Sequence, residues 1–217
     1  MSLADRILNF FFPPRCAFCG KVLAENTDGI CPSCRVGLPR TSDRERKCDF
    51  VRSYTAPLYY EDMVRQGILA YKFRNASARG SVFGRMIGEN LLSRGMTEFD
   101  LISWIPLSAK RKRTRGYDQA QILAQNAAKV LGCEAVPLLR KVRNAVPQSS
   151  IHGAEARRAN ISGCYVVRSA DAVRGKSILL IDDVITTGST LSECARMLLT
   201  AGAKSVSGAA LACRRDD

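Results

Sequence analysis

Two adjacent aspartates and a hydroxyl-rich loop form the segment in which chemistry is easiest to place. The sequence SILLIDDVITTGSTL, residues 177–191, joins an apolar strand pattern to Asp182 and Asp183. Small residues then lead into a predicted helix; they are Thr186, Thr187, Gly188, Ser189 and Thr190. Free backbone N–H groups, the helix dipole and side-chain hydroxyls at such a position favour phosphate binding.

The two carboxylates cannot serve that phosphate, because charges of the same sign repel. Carboxylate oxygens accept hydrogen bonds from vicinal hydroxyls, as on a ribose, or bind a divalent cation. A ligand that combines a phosphate, a sugar diol and a metal-associated diphosphate would satisfy both halves of the segment.

A second candidate site consists of two CxxC pairs near the N-terminus. Cys16 and Cys19 form the first pair and Cys31 and Cys34 the second, with eleven residues between the pairs. Four thiolates in two such turns can bind one zinc ion with full coordination, which makes the site structural. A redox-active CxxC would need only one pair and a βαβ context.

The other cysteines are single and are predicted to pack in the core; they are Cys48, Cys133, Cys164, Cys194 and Cys213. His152 is the sole histidine of the chain. It has no neighbouring ligand in the sequence, which argues against a Ser-His-Asp hydrolase and against a histidine-based zinc enzyme.

Charge and composition limit the class of partner. The chain has 217 residues, with 33 basic and 20 acidic side chains and a formal net charge of +13. This balance favours anionic partners such as phosphorylated small molecules, nucleic acid or membrane surfaces. No apolar run reaches the roughly 20 residues of a spanning helix, and LNFFFPP lacks a signal-peptide cleavage site, so we expect a cytoplasmic protein without a membrane span.

Strand and helix patterns alternate after about residue 50. Strands are predicted at 54–60, 99–106, 177–181 and 205–213, and helices around 61–72, 82–91, 118–131 and 189–201. The basic segment LSAKRKRTRG is predicted to be a loop. The alternation indicates an α/β fold with a mainly parallel sheet flanked by helices. Ligands of such sheets bind at the carboxyl ends of the strands, where the aspartates lie.

The segment IDDVITTGSTL resembles the phosphoribosyl pyrophosphate (PRPP) binding motif of type I phosphoribosyltransferases. A Walker loop would require GK[ST] after its glycines. A narrower resemblance, to the ComF family of competence-associated proteins, covers nearly the whole chain. It is carried by the cysteine pairs, by IPLSAKRKRTRGYDQAQILA at 105–124 and by LLRKVRNAVPQSSIHGAEARRANISGCYVV at 138–167.

The resemblance implies a small zinc-ribbon module at 1–50 and a phosphoribosyltransferase-like domain at 51–217. It also implies that Thr186 to Thr190 bind the 5-phosphate of PRPP and that Asp182 and Asp183 bind its ribose hydroxyls, with Mg²⁺ accompanying the ligand. The implied pyrophosphate-binding residues are Ser108, Lys110 and Arg111. The implied hood over the ligand contains Arg140, Arg143, Gln148 and Arg157. The reaction would displace pyrophosphate from the anomeric carbon, with an acceptor that the sequence does not identify.

The basic segment also supports a second hypothesis. Five cationic residues fall within six positions, which exceeds the need of one pyrophosphate; they are Lys110, Arg111, Lys112, Arg113 and Arg115. Such density suits the backbone of single-stranded DNA, with Tyr71 or Tyr117 available for stacking if exposed, although it also suits a solvated basic face.

ComF proteins are associated with DNA uptake in natural transformation, so the resemblance adds DNA-uptake proteins as partners. One hypothesis is therefore a PRPP-dependent transferase. The other is a single-stranded-DNA-binding competence factor whose transferase pocket is regulatory or vestigial.

Some positions depart from the family pattern. Cys48 is followed three residues later by Val51 where some relatives have a further cysteine, which argues against a second zinc. Ala145 stands where many relatives have threonine. Lys72 resembles a family lysine, but an exposed lysine near a helix end needs no function.

Overall fold

A computed structural model describes residues 13–24, 27–42, 46–73, 77–143 and 161–215. Within these ranges, no helix combines the length and the apolar character needed to cross a membrane. The predicted hood residues Gln148 and Arg157, together with His152, lie outside the described residues.

The described residues form seven helices and eight strands. The helices are α1 Pro32–Gly37, α2 Asp62–Phe73, α3 Ser77–Ser93, α4 Ala109–Arg115, α5 Gln119–Val130, α6 Ala170–Val173 and α7 Ser189–Thr200. The strands are β1 Arg46–Cys48, β2 Val51–Thr55, β3 Leu58–Tyr59, β4 Leu101–Trp104, β5 Leu139–Lys141, β6 Tyr165–Val167, β7 Ser177–Ile185 and β8 Ser205–Cys213.

The main sheet has six strands, with β1, β2, β8, β7 and β4 in order and β3 also paired with β8. Every pairing in it is parallel except that of β1 with β2. A separate antiparallel pair consists of β5 and β6. The predicted mainly parallel α/β fold is confirmed.

The central strand β7 shows why the sequence forms this sheet. Leu179 and Ile181 belong to a buried cluster with residues of α2, α3 and α5, whereas Ile178 and Leu180 pack with residues of α7. A parallel strand covered by helices on both faces requires apolar side chains at successive positions. The strand extends to Ile185, beyond its predicted end at 181, because its last residues keep their pairing with β8.

Three local predictions were wrong. The basic segment predicted as a loop forms α4, which begins at the Ser108 cap and ends at Gly116 with φ 79°. Lysine and arginine are good helix formers, and the serine and glycine supply the two caps. The strand predicted at 54–60 is divided into β2 and β3 near Pro57, which has no N–H for a sheet hydrogen bond. Cys133 is exposed rather than packed in the core.

The cysteine-containing segment packs on the helices that precede the central strands. The rings of Phe18 and Phe83 lie 5.2 Å apart between centroids, and Arg79 Nε donates a hydrogen bond to the Ala17 carbonyl at 3.0 Å. A Cβ on Gly67 would lie 3.2 Å from Phe18 Cα, so α2 approaches this segment closely. The segment therefore shares a core with α2 and α3.

Candidate functional site

The paired aspartates lie near the carboxyl end of β7, at the edge of the sheet where ligands of this fold class bind. Lys72, in the last turn of α2, donates a hydrogen bond from Nζ to Asp183 Oδ1 at 2.9 Å, and Oδ2 lies at the same distance. The two side chains are only 20% and 15% exposed, so the expectation that Lys72 is an exposed lysine was wrong. The ion pair is thus held in a largely desolvated position.

The two aspartates have different electrostatic environments. Burial and the adjacent charge of Asp183 raise the pKa of Asp182 to about 8, although the Asp183 backbone N–H, which donates to Asp182 Oδ1 at 2.7 Å, opposes this shift. Burial alone would lower the pKa of Lys72, but the carboxylate of Asp183 raises it overall. At neutral pH the trio therefore carries little net charge, which suits hydroxyl groups of an anionic ligand better than a free divalent cation.

The predicted phosphate-binding loop connects β7 to α7. Gly188 precedes α7 with φ 71°, and the hydroxyls of Thr187 and Ser189 are 2.9 Å apart. A Cβ on Gly188 would lie 3.0 Å from Cys48 Cβ and 3.2 Å from its Sγ. Only glycine fits this combination of a left-handed backbone and a close neighbour.

The start of α4 lies beyond the strand that neighbours β7. Trp104 of β4 pairs with Ile181, and Ser108 Oγ then caps α4 by accepting the Arg111 N–H at 3.4 Å. Buried Asp118 holds this connection, because its carboxylate accepts the Leu107 N–H at 2.9 Å. Ser108, Lys110 and Arg111 are thereby brought to the same edge as the aspartates.

A cluster of contacts joins the end of α2 to the segment after α4. Tyr71 Oη donates to the Gln119 carbonyl at 2.8 Å, and Tyr117 Oη donates to the Tyr71 carbonyl. Arg115 donates to Gln119 Oε1 at 2.9 Å and lies over the Phe73 ring. These contacts fix the helix end that carries Lys72. Tyr71 is fully buried, so it is unavailable for base stacking.

Two residues of this region were missed by sequence reasoning. Lys141 Nζ donates to Tyr165 Oη at 3.0 Å and lies 4.9 Å from the centre of its ring. Burial, and next the charge of Arg111, lower the pKa of Lys141, while Asp182 acts in the opposite direction. Lys141 therefore lies within electrostatic reach of both the basic helix and the acidic pair.

Two predicted hood residues, Arg140 of β5 and Arg143 just after this strand, are placed differently. Arg140 is exposed, and Arg143 donates to the Ser162 carbonyl at 2.6 Å. Strand alternation could have identified Lys141 as a site residue. It follows exposed Arg140 in β5, and successive side chains of a strand point to opposite faces.

The four predicted metal ligands come together. The Sγ atoms of Cys16, Cys19, Cys31 and Cys34 all lie within 4.8 Å of one another, and those of Cys19 and Cys31 are 3.7 Å apart. Tetrahedral zinc with bonds of about 2.3 Å requires sulfur separations of about 3.8 Å. The donor set therefore fits zinc, with no coordination position left for a substrate.

Backbone N–H groups favour the thiolate of Cys16, whereas burial and hydrogen bonds with the neighbouring thiols raise the pKa of Cys34. The Cys31 N–H donates to Cys16 Sγ at 3.4 Å and the Cys34 N–H to Cys31 Sγ at 3.5 Å. Burial acts to raise the pKa of Cys16, but hydrogen bonds from Cys31 and other N–H groups bring it down to about 6. Such donors are typical of ligands that must be deprotonated to bind a metal.

Two family models match the chain. One, described as a phosphoribosyl transferase domain, matches residues 117–217, and the other, a double zinc ribbon domain, matches residues 7–51. The DNA utilization protein YhgH of Salmonella typhi is 29% identical over 208 residues, which are 88% of this chain and 86% of that protein. Competence protein ComFC of Bacillus subtilis is 29% identical over 187 residues, 86% of this chain and 72% of that protein. These matches confirm the resemblance to the ComF family.

The matched range 7–51 includes the cysteine cluster, and 117–217 includes the acidic pair and the loop, whereas Lys72 and the start of α4 lie outside both ranges. Among solved structures, the glutamine PRPP amidotransferase from B. subtilis complexed with ADP and GMP is 20% identical, with a TM-score of 0.44 over 64% of this chain. The chain spans 30% of the length of that structure.

Proposed function

We propose that this ComF-like protein binds PRPP at the carboxyl edge of β4 and β7 and transfers its phosphoribosyl group to an acceptor. The observation that carries the proposal is the convergence of three elements at this edge. An acidic pair, a hydroxyl-rich loop at a helix N-terminus and the capped start of a basic helix all lie there. Together they match a ligand with a diol, a monophosphate and a pyrophosphate.

The residue roles follow from the chemistry of each element. Thr186 to Thr190 bind the 5-phosphate through N–H groups and hydroxyls. Asp182 and Asp183 accept hydrogen bonds from the ribose hydroxyls. Ser108, Lys110 and Arg111 bind the pyrophosphate, while Arg140 and Arg143, with Gln148 and Arg157 of the undescribed segment, belong to the hood.

The proposed chemistry needs no protein nucleophile. A bond forms between the acceptor and the anomeric carbon as the bond from that carbon to pyrophosphate breaks, so the leaving group takes both electrons. Mg²⁺, bound with PRPP, would neutralise charge on the leaving pyrophosphate. The protein positions the ribose through Asp183 and stabilises the departing charge with Lys110 and Arg111.

Zinc has a structural role in this proposal. The metal would hold the cysteine-containing segment, residues 13–24 and 27–42, as a compact module on the rest of the protein. Phe18 and Ala17 of that module contact α2 and α3 directly. Zinc binding therefore supports the helix that carries Lys72.

A ligand series tests the PRPP proposal. The melting temperature is measured with Mg²⁺ and PRPP, ribose 5-phosphate or pyrophosphate. PRPP should stabilise the protein most, because it alone contacts all three elements, and ribose 5-phosphate should stabilise it less. Equal shifts for PRPP and pyrophosphate would contradict a site that binds the sugar.

The exposed charge of α4 favours a second function, single-stranded DNA binding linked to DNA uptake, with the transferase pocket regulatory or vestigial. Lys110 and Arg113 are exposed on α4, and positive charge beyond the need of PRPP suits a phosphate backbone. The names of the relatives, competence protein and DNA utilization protein, support this link. Both functions fit a cytoplasmic protein.

Salt dependence tests the DNA function. Lys112→Ala with Arg113→Ala should reduce the slope of log affinity for an oligothymidylate against log salt by about 1 to 1.5. The matched control, Lys129→Ala with Lys204→Ala, removes two exposed charges elsewhere and should leave the slope unchanged. Equal slopes in both double variants would place the DNA site away from α4.

A further inference from the structure

A cavity of about 260 Å³ lies beside the phosphate-binding loop, between the β1–β2 turn, Ser162 and α7. Its walls include Phe50, Ser162, Ser189, Ser192 and Arg196. Ser189 also lines the smaller depression formed by the loop itself. The cavity therefore adjoins the proposed PRPP site and shares Ser189 with it.

Phe50 provides an aromatic wall that the core does not explain. Its side chain is 54% exposed, and its φ of 63° lies in the left-handed region. It occupies the tight turn between Cys48 and Val51, which pair with each other. Glycine is the residue that this backbone favours, so neither burial nor backbone preference accounts for phenylalanine at this position.

Arg196 provides a planar cationic wall on the same cavity. Its Nε and Nη2 donate to the two carboxylate oxygens of Glu193 at 2.8 and 2.9 Å. Glu193 is itself 8% exposed and accepts the Gly163 N–H at 2.8 Å. The guanidinium is thus fixed in place before any ligand arrives.

This combination fits a flat heteroaromatic group. Nucleobases stack on aromatic rings and on guanidinium planes, and the hydroxyls of Ser162 and Ser192 can each donate or accept a hydrogen bond at a base edge. The volume is below the roughly 300 Å³ of the smallest sites for drug-sized ligands, which favours a single base over a complete nucleotide.

We propose that this cavity is an accessory site for a nucleobase, which stacks on Phe50 beside the phosphate-binding loop. The base can belong to a free nucleotide or to single-stranded DNA, since both present the same planar group. Of the residues proposed to bind PRPP, this site shares Ser189, whereas Phe50, on which the base stacks, is not among them.

The test titrates wild type and three Phe50 variants with AMP and, separately, with an oligothymidylate. Phe50→Gly and Phe50→Leu should each bind at least about tenfold more weakly, because stacking of one base is lost, whereas Phe50→Trp should retain binding. The melting temperature of Phe50→Gly should not fall, since glycine suits the left-handed turn. A loss of affinity in this variant then reports the ring rather than the fold.

The two probes distinguish the sources of the base. A Phe50-dependent response to AMP alone indicates a free nucleotide, and one to the oligothymidylate alone indicates DNA. The proposal is overturned if wild type binds neither probe, or if Phe50→Gly binds both as wild type does. PRPP titrated into Phe50→Gly should bind as in wild type, so failure of the PRPP assignment would be recognised separately.

Discussion

Lys72 Nζ lies 2.9 Å from both carboxylate oxygens of Asp183, although 111 positions separate the two residues in the sequence. The ion pair joins the last turn of α2 to the carboxyl end of β7. It neutralises one member of the acidic pair, while the raised pKa of Asp182 keeps the other largely protonated at neutral pH. The two proposed ribose-binding carboxyl groups therefore carry little net negative charge with Lys72, which reduces their repulsion of an anionic ligand.

Replacing Lys72 should destabilise the protein, because the charge of Asp183 loses its partner. In Lys72→Met the free energy of unfolding should fall by about 1–3 kcal/mol, because Asp183 keeps a desolvated charge without its partner. The variant should also bind free Mg²⁺ more tightly than wild type does. Denaturant unfolding and Mg²⁺ titration measure the two effects. Arg65→Met, on an exposed position of the same helix, is the control, and equal stability of the two variants would exclude the role of Lys72.

The pKa of Asp182 predicts a pH-dependent stability difference. This pKa is raised from 3.8 to about 8 by burial and by Asp183, with Lys72 acting in the opposite direction. The folded state therefore retains a proton that the unfolded state releases, and the contribution of Asp182 to stability is lost as pH rises from about 4 to about 8.

In Asp182→Asn the side chain at this position no longer titrates, so this pH-dependent contribution is removed. Its free energy of unfolding relative to wild type should increase by roughly 2–5 kcal/mol between pH 4 and pH 8 and then remain constant. Denaturant unfolding across this pH range provides the measurement, with exposed Asp171→Asn as the matched substitution. A difference that does not change with pH would show that Asp182 is ionised in the folded protein.

Gly188 should be the least replaceable residue of the loop. Alanine there must adopt φ near 71°, at a cost of about 1–2 kcal/mol, and its Cβ would also meet Cys48. Gly132→Ala is the control, because its φ is 70° and no atom lies within 4 Å of the added Cβ. Thermal unfolding should show the larger loss for Gly188→Ala, and PRPP affinity should fall only in that variant. Similar losses in both variants would mean that the contact with Cys48 is unimportant.

Zinc content should depend on the clustered cysteines alone. Purified wild type should contain about one zinc ion per chain. Cys31→Ser should lose most of it, with a loss of roughly 3 kcal/mol or more in unfolding free energy, because the packing of Phe18 on Phe83 depends on the metal-bound turns. Cys133→Ser changes an exposed thiol outside the cluster and should keep the metal. Unchanged zinc in Cys31→Ser would contradict the site.

The parts of the site that were predicted correctly consist of residues that are close together in the sequence. The apolar run of β7, the aspartates and the small residues before α7 stand side by side in the chain, and their order alone indicates a strand, a loop and a helix. The cysteine pairs are equally local, and the structure confirms that they meet. Strong periodicity and short spacing carry such information because they reflect local geometry.

The missed parts depend on packing between distant segments. The family resemblance singles out Lys72, but its partner could not be chosen from sequence because only the position of α2 brings it within reach of Asp183. Helix α4 was missed for another reason. Its seven residues have no apolar face to produce periodicity, although the Ser108 and Gly116 caps were available as signals.

The most direct test of the central claim is isothermal titration of wild type, Asp183→Asn and Asp171→Asn with PRPP in the presence of Mg²⁺. The ribose role of Asp183 predicts saturable binding to wild type and to Asp171→Asn, with an affinity for Asp183→Asn that is lower by about tenfold or more, because a charge-assisted hydrogen bond is lost. Equal PRPP affinity in all three proteins, or no binding to wild type, would contradict the assignment of this edge as a PRPP site.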